Sequence, residues 1–284
     1  MTSSQTSSEP GRHYDRVTEG WRLIFGDELH YGVFDDPGDD LATATGRLTS
    51  LMVDTAAAIT AGAEVLDVGS GTGVIACGLG AERGARILGI TTSEVGVESG
   101  RARASELGVA DRVRFEQRDG TANGLPDSTF DVVWVLESSH LMRQRERLIA
   151  ECARVLRPGG RICLCDLMLQ RDLEFAEVKL LRKELALLRD VFGDAHMERM
   201  ARYVDWMTAH GLSVDVSTDL TARTRPTFER WRANIVANDA QVTELLGSRG
   251  RDDFWESTYV LERLWDDGIM GYGILGAQRA ASAG

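Results

Sequence analysis

The chain has 284 residues, 43% apolar and 27% charged, with 44 acidic against 32 basic side chains and a formal net charge of −12. This is ordinary globular composition; no apolar run approaches the ~20 residues that span a bilayer, which excludes a membrane span and points to a soluble, cytoplasmic protein. The charge repels polyanions, and the one short basic cluster, Arg143 to Arg147, interleaves with Gln144 and Glu146 as a solvated helix face does, so nucleic acid is not an expected partner.

The first dozen residues, MTSSQTSSEPGR, lack the apolar stretch of a secretory signal and read as a disordered tail, as does the closing AASAG. Residues 13–60 alternate helical patches with the irregular loop GDELHYGVFDDPGDD, which predicts an N-terminal helical cap. From Ala63 the pattern changes to short β-branched runs, EVLDVG, ARILGIT, RVRFEQ, FDVVWVL and RICLCDLML, each followed by a helical stretch. Over residues 61–170 that predicts an α/β core, a parallel sheet with helices on both faces. ARVLRPGG ends one helix and turns through Pro158, Gly159 and Gly160 into the fifth strand. Two helical blocks, 171–211 and 222–267, read as a lid, and 212–221 and 268–279 as the last two of seven strands. Cys77, Cys152, Cys163 and Cys165 show no C-x-x-C pair and no metal-ligand spacing, and are expected as buried free thiols.

The strongest local signal is VLDVGSGTG, where an apolar strand ends at Asp67 and runs through Gly69, Ser70, Gly71 and Gly73 into a helix. Such glycines let the backbone approach a ligand closely and aim a helix N-terminus at it. A dinucleotide site would want G-x-G-x-x-G and an acid at the tip of the second strand. Here Val74 occupies the third glycine place and the second strand ends in GITTS, so a nicotinamide or flavin dinucleotide fits poorly.

The glycine loop, Asp119-Gly120 after the third strand, LPDSTFDVVWVLESSH at the fourth and ARVLRPGG before the fifth together resemble the class I S-adenosylmethionine (SAM) dependent methyltransferases, over roughly residues 60–170. The resemblance implies a Rossmann-like fold and SAM as cofactor, with S-adenosylhomocysteine as product. By it Gly69, Ser70 and Gly71 line the methionine portion, Asp67 holds its ammonium, and Asp119 accepts from the adenine amino group. Gly73 and Gly120 belong to the same two turns. Thr91 and Thr92 take the ribose position, usually an acid; some relatives carry a glutamine slightly downstream, where this chain has Gly96.

More narrowly, YDRVTEGWRLIFGDELHYGVF, ESSHLM and CDLML are similar, in that order, to natural-product O-methyltransferases of the rebeccamycin sugar type. That implies that Tyr14 and His30, Tyr31 and Gly32 close over the cofactor, that Glu137 lies near the transfer site, and that His140 and Asp166 act as base and partner. The topology agrees, since the carboxyl ends of neighbouring parallel strands open on one crevice. A hydroxyl attacking a sulfonium methyl gains from a base, and a carboxylate orients the imidazole. The expected reaction is O-methylation of a small-molecule secondary metabolite, a glycoside or polyketide. C-methylation of an isoprenoid alkene, and a cyclase that retains SAM, are the alternatives. No metal is expected, because Asp166 lacks carboxylate companions. Trp206, Trp231, Trp255 and Trp265 fall in the lid, as core packing or as an apolar substrate wall. Homo-oligomers, dimers above all, are an open expectation.

Overall fold

The structure, a computed structural model, describes residues 19–281, so Tyr14 and both tails lie outside the described residues. One sheet of seven strands organises it: β1 (Glu64–Val68), β2 (Arg86–Thr91), β3 (Val113–Gln117), β4 (Phe130–Leu136), β5 (Leu156–Leu169), β6 (Leu212–Asp219) and β7 (Met270–Arg279). Their order is β3-β2-β1-β4-β5-β7-β6, with β1 to β5 parallel and β7 antiparallel to both β5 and β6. The chain order reverses between β1 and β4, which opens a crevice at the strand tips.

Alternation along each strand sorts the side chains into two cores. Val65, Ile87, Val132, Trp134, Cys163 and Cys165 face one side, covered by α1 (Leu41–Ala56), α2 (Val74–Arg83) and α3 (Glu94–Glu106). Leu66, Val68, Leu88, Ile90, Val133 and Val135 face the other, covered by α4 (Arg145–Val155). Each fully buried aliphatic of this kind contributes about 1.5–3 kcal/mol of transfer free energy. Capping fixes where the helices begin: Asp40 accepts from the Thr43 amide at 2.8 Å to start α1, and Ser93 accepts from Gly96 at 2.8 Å to start α3. The expected turn at Pro158 to Gly160 lies inside β5, as an irregularity that lets Leu156 pair with Phe130 before Arg161 resumes opposite Val132.

Over the carboxyl ends lie α5 (Phe175–Leu180), α6 (Arg182–Phe192), the single turn α8 (Thr221–Thr224), α9 (Thr227–Ala237) and α10 (Asp239–Asp266), the last broken at Gly247, where φ is 75°. Between α6 and β6, α7 (Met200–Ala209) packs elsewhere. The period grouped it with the lid, but its Tyr203, Trp206 and Met207 join the second sheet core beside Ile149 and Leu275. A helix covering a sheet face shows the same 3.6-residue stripe as a lid helix, so periodicity alone could not separate them.

Cap and lid share one aromatic cluster. Trp21 and Phe25, on the helical segment 19–25, meet Phe254, and Phe25 sits 4.4 Å from Trp231. Tyr31 stacks on Trp265 at 5.5 Å and 5° between planes. Trp255 is half-buried against Tyr259 and Arg251. Among the described residues no helix is long and apolar enough to cross a membrane.

Candidate active site

A cavity of about 920 Å³ opens at the strand tips, between the glycine loop on one side and α6 with the cap on the other. Asp67, Gly69, Ser70 and Gly71 line it, as do Thr91 and Thr92, Asp119 and Gly120, and His30, Glu137 and His140. Gly73 shapes the loop from behind: it starts α2 at φ 77°, and a Cβ there would come 2.5 Å from the Phe115 ring. Gly69 has φ 83°, and a Cβ on it would lie 2.2 Å from the Ser138 Cβ. Ser138 is itself fixed, donating to the Val68 carbonyl at 2.7 Å.

Strain at a positive φ and overpacking each cost about 1–3 kcal/mol. Gly69→Ala should therefore displace the loop and weaken S-adenosylhomocysteine binding by more than about tenfold, with the far-ultraviolet circular dichroism unchanged. Calorimetric titration checks this, and unaltered affinity contradicts it. Gly96 is constrained in the same way, since a Cβ would lie 2.7 Å from the Gly71 carbonyl. The glutamine found nearby in some relatives has no room here.

Asp67 is buried, and burial raises its carboxyl to about 7. Among the described residues no cation or hydrogen-bond donor meets it, so the fold keeps an uncompensated acid facing the cavity. The Ser70 hydroxyl is also buried without a partner. Unsatisfied buried groups of this sort call for a ligand that completes them. The amino-acid end of SAM has an ammonium for Asp67 and hydrogen-bonding groups for Ser70, and the glycines leave room for it. The residues present fit that cofactor.

At the far edge of the loop, β2 ends in Thr91, whose hydroxyl accepts from the Ser93 amide at 3.2 Å, while the Thr92 carbonyl accepts from Gln117 at 3.0 Å. Asp119 is exposed and starts a short 3₁₀ turn, Oδ1 accepting from both the amide and the hydroxyl of Thr121 at 2.8 Å. Its Oδ2 takes no bond among the described residues.

His140, just past the tip of β4, meets Asp166 within β5. His140 sits in the turn Ser139–Leu141 with its Nδ1 2.6 Å from Asp166 Oδ1. Asp166 lies within β5, three residues before its end at Leu169, and is fully buried. It also accepts from the Ser139 hydroxyl at 2.5 Å, the His140 amide at 3.1 Å and the Leu167 amide at 2.8 Å. Burial works against both charges, yet each group stabilises the other: Asp166 ends below the ordinary carboxylate range and His140 above the ordinary imidazole value of 6.5. With Nδ1 committed to Asp166, Nε2 is the ring nitrogen left for a ligand. Ser139 and Tyr203, whose hydroxyls lie 2.7 Å apart, complete this network. Neither was foreseen; Ser139 stands in the quoted ESSHLM motif, but no local pattern points from α7 to the site.

The HYG segment forms the opposite wall. His30 is buried, donates through Nδ1 to the Tyr31 carbonyl at 2.8 Å, and has Nε2 2.9 Å from Glu28 Oε2. Burial opposes its charge, but the nearby Glu28 and Glu137 carboxylates and the Tyr31 carbonyl favour it, so its pKa is raised above the ordinary imidazole value. Glu137, with φ 44°, accepts through Oε1 from the Tyr31 amide at 2.8 Å and from the Tyr272 hydroxyl at 2.5 Å. Burial raises its carboxyl, and His30 partly offsets that. Tyr272, on β7, was not anticipated. Of the four tryptophans the sequence assigned to the lid only Trp231 lines the cavity, joined there by Trp21 and Trp134, while Trp206 belongs to the second sheet core.

A methyltransferase-domain family model matches residues 66–164, from β1 through most of β5. Methyltransferase GfsG of Streptomyces halstedii is 34% identical over 223 residues, 78% of each chain. The 27-O-demethylrifamycin SV methyltransferase of Amycolatopsis mediterranei is 34% identical over 226 residues, 79% of this chain and 81% of its own. Among solved structures, the [4+2]-cyclase SpnF superposes with a TM-score of 0.82 at 26% identity, covering 98% of this chain and 97% of its own. The chain belongs to the class I SAM-dependent methyltransferases that act on small molecules.

Proposed function

We propose that the enzyme methylates a hydroxyl group of a natural-product small molecule, of glycoside or polyketide type, with His140 as general base and Asp166 as its partner. The observation that carries this reading is the 2.6 Å contact between His140 Nδ1 and Asp166 Oδ1, which sets the tautomer and turns Nε2 to the cavity. When bound, SAM supplies an electrophilic methyl group on a sulfonium. Nε2 would accept the proton of the acceptor hydroxyl and Asp166 would stabilise the imidazolium that forms, the cofactor leaving as S-adenosylhomocysteine. Asp67, Gly69, Ser70 and Gly71 are proposed to hold the amino-acid end, Thr91 and Thr92 the ribose, and Asp119 with Gly120 the adenine. Glu137 and His30, with Tyr14 from the segment before the described residues, are proposed to close the opposite wall. Holding both reactants in one cavity can offset ~7–11 kcal/mol of the barrier. The rifamycin relative, named for an O-demethyl substrate, supports oxygen as the acceptor atom.

A second reading has support in one observation, the full-length likeness to a [4+2]-cyclase. In that reading the cofactor is retained and the substrate only rearranged. Mass balance separates the two. O-methylation yields S-adenosylhomocysteine in step with a product heavier by one methyl group; a cyclase releases none and leaves the mass unchanged. C-methylation would give the same balance but would tolerate loss of His140 better than loss of Trp231.

A further inference from the structure

The cavity wall carries charges of both signs: Asp67 and Asp119 with Arg118 on the glycine-loop side, and Asp27, Glu28 and Glu137 around His30 on the cap side. A further stretch of the wall is mainly basic: Arg143 just before α4, Arg147 on α4, and Arg182 and Arg189 on α6 line the cavity with one carboxylate near them in sequence, Asp194. In a chain with 44 acidic and 32 basic residues, that grouping runs against the composition.

Asp194 is already paired with Arg143. Arg189 lies 3.4 Å from Asp190, both exposed, a contact of little strength. Arg147 meets only Gln144, at 2.6 Å, and Arg182 has no carboxylate in ion-pair reach among the described residues. Arg182, Leu185, Ala186 and Arg189 follow helical spacing along one face of α6, so two guanidinium groups flank an apolar strip. All four arginines are solvent-exposed at the cavity wall, and a carboxylate or phosphate matches the guanidinium fork where an apolar group offers nothing.

We infer that the acceptor carries an anionic group, a carboxylate or phosphate ester, which Arg147, Arg182 and Arg189 receive while its apolar body lies along Leu185 and Leu188. The inference rests on this cavity being the acceptor site of a methyltransferase, and is independent of His140 as base.

Protein saturated with S-adenosylhomocysteine, titrated calorimetrically with octanoate, octyl phosphate and octan-1-ol, tests it. At low salt at least one of the anions should bind about tenfold or more tightly than the alcohol, with the gap closing as salt rises. The tighter anion identifies which of the two groups the site takes. The double variant Arg182→Gln/Arg189→Gln should lose the gap while keeping the alcohol and S-adenosylhomocysteine affinities. Equal affinity for alcohol and anions, no uptake of either anion, or a gap that persists in the variant would each overturn the inference. Normal S-adenosylhomocysteine uptake in those cases confines the failure to the anion site; its loss in the unaltered protein strikes at the methyltransferase reading instead.

Discussion

Replacing His140 by Ala is expected to lower turnover by about 10²- to 10⁴-fold and to leave S-adenosylhomocysteine affinity unchanged. The fold should survive, because Asp166 keeps the Ser139 hydroxyl and the amides of residues 140 and 167 as donors. A base must be neutral to accept a proton, and Asp166 holds this imidazole above 6.5. In the unaltered enzyme kcat should therefore rise with pH along a limb centred above 6.5, and the variant should lack that limb. Steady-state rates across pH, with parallel cofactor titrations, measure both effects. Turnover unchanged in the variant rejects the assigned base.

Asp166→Asn should do more damage to stability. The carboxylate accepts four hydrogen bonds in a fully buried position, and an amide of the same shape presents two donors to the same ring of donors. Breaking one side of a buried, hydrogen-bonded pair costs about 3–5 kcal/mol, a large share of the ~5–15 kcal/mol that holds a typical domain folded. The denaturant midpoint should fall accordingly. In whatever folded protein remains, the pH limb should move down, because the His140 imidazolium has lost its counter-charge. A midpoint unaltered by the substitution, or a limb that stays in place, contradicts the coupling.

Much of the fold was legible because the sheet is buried on both faces. Runs such as FDVVWVL read as sheltered strands because they are short, rich in β-branched and aromatic residues and bounded by turn residues. The glycine loop was readable for a steric reason: Gly69 and Gly73 sit at positive φ where an added Cβ would press on Ser138 and on Phe115. His140 and Asp166 could be paired in advance because parallel neighbours deliver their tips to one crevice. What the sequence hid came from distant elements. Tyr203 reaches the site from a helix whose stripe resembles those of the lid, and Tyr272 from the antiparallel β7, 135 residues beyond Glu137. The arginines of α4 and α6 read as solvated surface in the sequence, and only the fold gathers these exposed side chains at one cavity wall.

The loop from Asp67 to Gly73 as a SAM grip is the claim on which the mechanism depends, and titration of the folded protein with S-adenosylhomocysteine at pH 7 in two buffers of different ionisation enthalpy tests it most directly. The account predicts stoichiometric uptake accompanied by release of a fraction of a proton, because an ammonium beside Asp67 lowers a carboxyl that starts at about 7. Absence of uptake would contradict the account as a whole, and uptake with no proton released would contradict the role given to Asp67.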